Sequence, residues 1–564
     1  MTASGHDRQP PTGSTTGALE GGTQQPPAID FAHRRAFFVG TTAVAVGVGL
    51  HLPMFFDSAR MHYRLAGMSP DPAMLAGMAL IAVGLGAAGY GIIGPIRPRL
   101  AHRHTGFRVC ALDDASLRPA HLVLILVMSV AVTVDAMKVI ALGFVTPGMA
   151  IEYGLRSASH PVGSMPVALL PLCGLSGTVV GSLIWGRLGD LVGRRASILL
   201  AAILFIATSI CGAMPSYEWN FAMCFLMGVG VGGMLPITLT LIAELMPARH
   251  RGWAMVLVGG ELALAYALTS WLAGLLTPSY GWRILWLIGL PTGVLLIALQ
   301  RYIPESPRFL LLCGRHRDAE AVMARYGAGV TRSDADEHDA PGWSGTVVQD
   351  RLPTGTMPII ALLALSAGVV TYGLQLWLPT NLEHLGFTAL TSASLLRDSA
   401  LFGLPVTVLA AVLYARWSTR GTLLVLTLIT AVALLVFALA GDGIVRHPGL
   451  LRIVTVVPTA MINSVLAAAL AYAAESFPTD RRATAAGVVG ALSKVGGVGL
   501  TALVVGSVAP ASIRTTALLG AAPLLLGAVA VLRAGVDTRA RRLDDLAVVG
   551  RGGHPSARLG ADPP

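Results

Sequence analysis

Lysine is almost missing from this chain. Of its 40 basic residues only Lys138 and Lys494 are lysines, so arginine carries nearly all the positive charge. Charge of either sign is scarce as well, at 12% of residues, where a soluble globular protein carries roughly 25%. That shortage, beside a 54% apolar content over 564 residues, excludes an ordinary soluble fold and points to a polytopic membrane protein. Cysteine is sparse: Cys110, Cys173, Cys211, Cys224 and Cys313 are odd in number and scattered, which argues against a disulfide framework and a metal site. None of the 14 histidines falls at the middle of a core apolar segment, which argues against a histidine proton relay. The net charge of +10 is dispersed over many short loops, so it is no nucleic-acid footprint. No nucleophile elbow, phosphate loop or zinc helix stands in a plausible context, so neither an enzyme nor a bound cofactor is expected. Gly228-Val-Gly-Val-Gly-Gly233 matches a dinucleotide fingerprint by letter, but no strand precedes it. Inside an apolar helix, glycines at that spacing serve close packing.

What the chain does have is long apolar runs. A bilayer core of ~30 Å takes ~20 apolar residues per helix. Fourteen runs qualify: two near 36–56 and 73–96, six near 120–145, 163–186, 196–214, 220–243, 253–276 and 284–303, and six near 357–380, 397–415, 422–440, 450–474, 485–508 and 515–533. Residues 1–35 and 534–564 read as disordered polar tails, 36–118 as a two-helix hairpin with a basic linker, 119–303 and 357–533 as two six-helix bundles, and 304–356 as a polar loop containing Asp334-Ala-Asp-Glu-His-Asp339. The first run lacks a clear cleavage site and is read as a retained helix. Basic residues stay on the cytoplasmic side. With both tails cytoplasmic, inner segments hold 30 arginines and outer loops hold eight. A multi-pass plasma-membrane protein with both termini inside is the expectation.

One stretch organises the rest. Gly186-Arg-Leu-Gly-Asp-Leu-Val-Gly-Arg-Arg195 is a charged, glycine-rich turn between two apolar runs. A worn copy lies at Ala411–Arg420, where Arg416 and Arg420 keep their register and Ala415 replaces the acid. A second repeated pair follows the fourth helix of each six: Ala243-Glu244-Leu-Met-Pro247-Ala-Arg-His-Arg251 and Ala474-Glu475-Ser-Phe-Pro478-Thr-Asp-Arg-Arg482. The spacings from glutamate to proline and from proline to arginine are identical. Each ends a helix with an acid, stops it with proline and anchors it with arginine at the headgroups. Two paired signatures in two blocks of six helices indicate an internally duplicated membrane protein.

With these signatures the chain resembles the major facilitator superfamily of secondary transporters over about 119–533. The turn carrying Gly186, Asp190, Gly193, Arg194 and Arg195 resembles that family's loop between helices two and three, with Leu191 where a basic residue is usual. Pro304-Glu-Ser-Pro-Arg308 resembles the signature of sugar and organic-ion porters. Asp135-Ala-Met-Lys138, followed by Gly143-Phe-Val-Thr-Pro147, resembles the first helix of aromatic-acid:proton symporters, with Lys138 in place of their second acid. The resemblance implies an all-α fold of two pseudo-symmetric bundles, here with an extra N-terminal hairpin. It implies alternating access, with Asp190 and Arg194 latching the inner helix ends together with Gly186, Gly193, Arg195, Glu244, Arg251, Glu475 and Arg482.

An ionisable residue deep in a bilayer is costly and is a functional candidate by default. Asp135, Lys138, Glu261 and Lys494 lie inside core helices, and Asp398 lies near the outer end of one. Asp135 and Lys138, three residues apart, share a face and can pair; the pair is either a packing device or a proton site. Glu261 is a second proton-site candidate. Tyr372, Gln375 and Asn463 can hydrogen-bond a substrate, though such residues also serve as glue between helices. Two buried lysines against few acids favour an anionic substrate. The expected function is therefore proton-coupled transport of a small carboxylate or aromatic acid, with substrate, protons and the lipid bilayer as partners and no nucleic acid. A proton-driven drug or metabolite exporter is the alternative, although the fifth core helix has no proline over Val256–Gly274 and Cys224 stands where an arginine is usual. A non-transporting scaffold or sensor is a third reading.

Overall fold

The computed structural model describes residues 33–93, 112–157, 162–163, 165–328, 356–375, 389–440, 448–477, 482–507 and 513–539. The charged stretch Asp334–Asp339, most of both tails and the linker around Cys110 lie outside the described residues. Among the described residues the structure is helical, apart from one isolated bridge between Arg156 and Pro166. Lipid offers no partner to a free N–H or C=O, so each crossing segment must satisfy its own backbone as a helix.

Among the described residues, thirteen helices are long and apolar enough to cross a bilayer. In chain order they are α1 (Arg34–Met61), α2 (Pro72–Ile93), α3 (Pro119–Glu152), α4 (Leu169–Val192), α5 (Arg194–Ala213), α6 (Tyr217–Leu245), α7 (Ala248–Tyr280) and α8 (Ile284–Tyr302). A shorter apolar helix, α9 (Met357–Gly373), takes the next place. Then come α10 (Arg397–Arg416), α11 (Thr419–Ala440), α12 (Thr455–Ser476), α13 (Arg482–Leu503) and α14 (Arg514–Ala534). From Val369 the helix is π-helical, over Val369–Gln375, and it reaches the end of this described stretch. Together these are the fourteen crossings the hydropathy demands, with α3–α8 and α9–α14 as the two sixes.

The sixes meet along small residues. A side chain added at Gly186 of α4 would strike the Ala483 carbonyl and the Gly487 backbone of α13. One turn further along the same seam, a side chain at Gly487 would strike the Ser182 carbonyl. By the internal symmetry, α7 packs on α10, where Gly260 lies against Thr407 and Gly403 against Ala263. Without a hydrophobic drive between helices in lipid, such close backbone approach is what holds them.

The hairpin α1–α2 has a glycine seam of its own: Gly40 and Gly84, Gly47 and Gly77 approach one another, and Gly91 lies against Phe37. Its inner face packs on α5 through Phe37, Val44 and Ile81 against Leu199, Ile203 and Ile206. At its tip, the backbone N–H groups of Leu65 and Ala66 donate to one carboxylate oxygen of Glu152, at 2.8 and 3.0 Å.

Two boundaries differ from the sequence reading. The polar loop after α8 contains two short helices, Pro307–Leu312 and His316–Arg325. The segment after α14, read as part of a disordered tail, is held through Arg539 by hydrogen bonds to the ends of α10 to α12. Polar side chains at helix ends supply partners that the tail's composition does not advertise.

Candidate functional site

The midplane site is built on α3. Asp135 and Lys138 do share that helix, but their side chains take different neighbours, and among the described residues no ion pair joins them. The Lys138 ammonium donates to the Phe205 carbonyl at 3.1 Å and lies 3.4 Å from the Ser209 hydroxyl and 4.5 Å above the Phe205 ring. The expected pair is thus replaced by a contact with α5, because the α-helical part of α5 stops at Ala207 and gives way to a 3-10 stretch, Thr208–Ala213, and carbonyls at such a terminus attract a cation.

Asp135 instead faces the other six. It is 5% exposed, and its Oδ1 is buried without a hydrogen-bond partner. Its charge interacts with that of Lys494 on α13. Lys494 is 8% exposed and donates to the Gly490 carbonyl at 3.3 Å. No ion pair within 4 Å joins the two among the described residues. Tyr372, in the π-helical stretch, lies in the field of Asp135, and Tyr266 of α7 lies beside Tyr372. A π-helical turn inside a membrane helix commonly marks a functional site.

Gln375 donates to the Thr459 carbonyl of α12 at 2.9 Å, one turn from Asn463. The carbonyl oxygens of Gln375 and Asn463 are both buried without a donor. Glu261 sits at the break in α7, half-buried beside Ser129 and Thr133 of α3. Asp398 pairs with its exposed neighbour Arg397 at 3.1 Å. Among the described residues no group of acids, histidines and cysteines could hold a metal ion.

The arginine-rich face carries a second constellation, which bridges the sixes. Arg194 binds Asp190 at 3.2 Å and Glu244 at 2.9 Å, and Glu244 also receives Arg482 from the opposite six at 3.4 Å. Asp190 accepts from the Thr484 backbone N–H and hydroxyl, at 2.8 and 2.7 Å, in the first turn of α13. That carboxylate caps a helix of the other half. Arg251 binds Asp113 at 3.1 Å and crosses to Glu475 at 3.5 Å. Tyr414 and Thr538 both donate to Glu475. Gly193 takes φ 109°, which lets the chain turn from α4 into α5. Arg195 donates to Gln300 at 3.0 Å.

Sequence reasoning missed several members of this network. Glu305 accepts from the backbone N–H groups of Arg194 and Arg195, at 2.8 and 3.2 Å, and caps α5. Burial pushes its carboxyl above the usual range, while hydrogen bonds from Ser306 and α5 and the Arg194 charge pull it back. Its position in Pro304–Arg308 was the available signal. Asp113, Thr484 and Thr538 carried none.

The profile of the Major Facilitator Superfamily matches residues 124–499. The chain belongs to the major facilitator superfamily. It is a multi-pass membrane transporter for a small-molecule substrate, not an enzyme. The niacin transporter NiaP of Acinetobacter baylyi is 24% identical, over 69% of this chain and 88% of that one. The benzoate transport protein of the same organism is also 24% identical, over 69% and 83%. Among solved structures, the proton:xylose symporter XylE superposes with a TM-score of 0.62 at 17% identity, covering 76% of this chain and 98% of that one. The human organic anion transporter MFSD10 gives 0.54 at 16% identity, covering 73% and 100%. These structures share the fold with this chain.

Proposed function

We propose that this transporter takes up a small organic anion, a carboxylate or aromatic acid, across the plasma membrane, coupled to a proton and with both termini cytoplasmic. The observation that carries the reading is the opposition of Asp135 and Lys494. Each is buried, each belongs to a different six, and no ion pair joins them. A carboxylate that binds Lys494 takes over the attraction that Asp135 otherwise supplies. Asp135, left without its cation in a low-dielectric interior, then favours the protonated state. Anion and proton thereby bind as a linked pair of zero net charge, which lowers the cost of crossing the membrane.

Tyr266 and Tyr372 provide aromatic surface beside this pair, and the niacin and benzoate names of the two relatives agree with a flat acid. Gln375 and Asn463 offer acceptors for a protonated substrate group, and Glu261 is a second proton site. The latch from Asp190 and Arg194 to Arg482 and Thr484, with Arg251 and Glu475, holds the cytoplasmic ends together. It releases when the sixes rock.

The test is uptake of radiolabelled benzoate and nicotinate into proteoliposomes under an imposed pH gradient. Lys494→Met should lower uptake about tenfold or more, the worth of a charge-assisted hydrogen bond. Asp135→Asn should keep exchange of substrate for substrate but lose accumulation driven by the gradient. Uptake of these acids that ignores the gradient in the unmodified protein would remove proton coupling, and unchanged uptake by Lys494→Met would remove the anion site.

A further inference from the structure

Lys138 is left over once the midplane site is assigned. It is 4% exposed, yet its surroundings offer dipoles and no negative charge. The nearby hydroxyls already donate elsewhere: Ser209 to the Phe205 carbonyl, Thr269 to the Ala265 carbonyl and Thr292 to the Ile288 carbonyl. Among the described residues no carboxylate lies within ion-pair distance of the ammonium. Beside it lies a cavity of about 20 Å³, walled by Val134, Leu272, Leu285 and Ile288, with Thr269 and Thr292 on its rim. The residues that line it come from α3, α5, α7 and α8, all in the first six, and it is partly open where Leu272, Ile288 and Thr292 are only partly buried.

We infer that this cavity is a site for one monatomic anion, chloride by its chemistry, held by Lys138 and separate from the substrate path. Size excludes the substrate, because the space accepts about one water-sized guest and a carboxylic acid is several times larger. Charge favours an anion over water: a buried ammonium without a counter-charge is strongly disfavoured, and a water neutralises nothing. The walls agree, because a buried water needs two to four polar partners, and these are mostly aliphatic. A large, weakly hydrated halide accepts one strong donor and tolerates apolar contacts around the rest of its surface. The Phe205 carbonyl and the Ser209 hydroxyl, both on α5, each take one proton of the ammonium, and the remaining proton of Nζ is available to the ion.

The experiment measures thermal unfolding of the purified full-length protein in sodium chloride, sodium bromide and sodium gluconate at equal ionic strength. Chloride and bromide should each give a saturable rise of about 2–4 °C over gluconate. The rise should persist in Lys494→Met, because that lysine belongs to the other six, and vanish in Lys138→Met. Should Lys138→Met not fold, crystals of the unmodified protein grown in bromide replace it, with an anomalous peak expected in contact with Lys138 Nζ. No halide-specific rise, an equal rise in Lys138→Met, or a cavity without bromide would each overturn the inference and leave Lys138 as a cap on α5.

Discussion

Asp135 and Lys138 show how far a spacing reaches and where it stops. Three residues apart on a helix, they stand about 60° apart around its axis, near enough to pair and far enough to serve two surfaces. The choice is made by partners on other helices: the Phe205 carbonyl of α5 draws Lys138, and the charge on α13 addresses Asp135. Neither partner is visible in the local sequence. Glycines carry the opposite lesson: Gly186, read as part of a turn, lies within α4 and meets Gly487, which is equally small. Where these two meet, no side chain fits. Gly487→Val therefore overpacks a contact that exists only while the arginine-rich ends are together. Overpacking costs about 1–3 kcal/mol, enough to shift the population toward the state with those ends apart by about tenfold. A cysteine placed at Ser182, which lies buried on this seam, should then react with a maleimide about tenfold faster in the Gly487→Val background. An unchanged rate would show that the seam does not part during transport.

Two helices start in the same way for reasons that the letters hide. Glu305, three residues past the end of α8, caps α5. Asp537, three residues past the end of α14, accepts from the Thr419 backbone N–H, the Thr419 hydroxyl and the Ser418 hydroxyl, and so caps α11. These are equivalent places in the two sixes, filled by Pro304-Glu-Ser-Pro-Arg308 and Gly535-Val-Asp-Thr-Arg539, with little shared beyond an acid and a final arginine. The Glu244 and Glu475 repeat was legible because it kept its spacing, whereas this one survives only as geometry. The two caps should titrate with opposite signs. Burial opposes ionisation of Asp537, but hydrogen bonds from Ser418, Arg539 and Thr419 outweigh it and hold the carboxyl below its ordinary 3.8. Its stabilisation is therefore present above about that pH and lost as pH falls through the lower folded value. Asp537→Ala should cost about 1 kcal/mol at neutral pH, the worth of a cap, and converge on the unmodified protein near the acid limit. Glu305 is raised above 4.5 by burial, so its contribution declines as pH rises through the folded value. Glu305→Gln should accordingly fare better, relative to the unmodified protein, at pH 7 than at pH 4. Melting temperatures from pH 7 down to below pH 3.8, the ordinary value for Asp537, decide both.

At the scale of the whole molecule, hydropathy and arginine counting found fourteen crossings in two sixes plus a hairpin, because a bilayer imposes length and composition on any helix that spans it. They did not find where the hairpin sits. A face that meets lipid and a face that meets another helix are equally apolar, so nothing in α5 distinguishes the side that receives α1 and α2. The same indifference limits what the hairpin contributes, since lipid replaces helix against Leu199, Ile203 and Ile206 at little hydrophobic cost. The polar tie at its tip behaves differently. Glu152 accepts from Leu65 and Ala66, pairs with Arg283 at 2.7 Å and accepts from Trp282 at 2.8 Å. Arg283 is 0% exposed and also donates to the Tyr153 hydroxyl and the Met214 carbonyl. Deleting residues 1–100 removes two N–H donors from Glu152 and opens it to water, but leaves its bond to Arg283. Replacing Glu152 with alanine in the full chain leaves a buried guanidinium without its carboxylate, a loss of about 3–5 kcal/mol. The single substitution should therefore lower the melting temperature more than the loss of two membrane helices, while the deleted form still folds as a twelve-helix transporter. Size-exclusion profiles and melting curves of the two variants side by side settle the order. Collapse of the deleted form with Glu152→Ala intact would make the hairpin, and not its tie, the structural element.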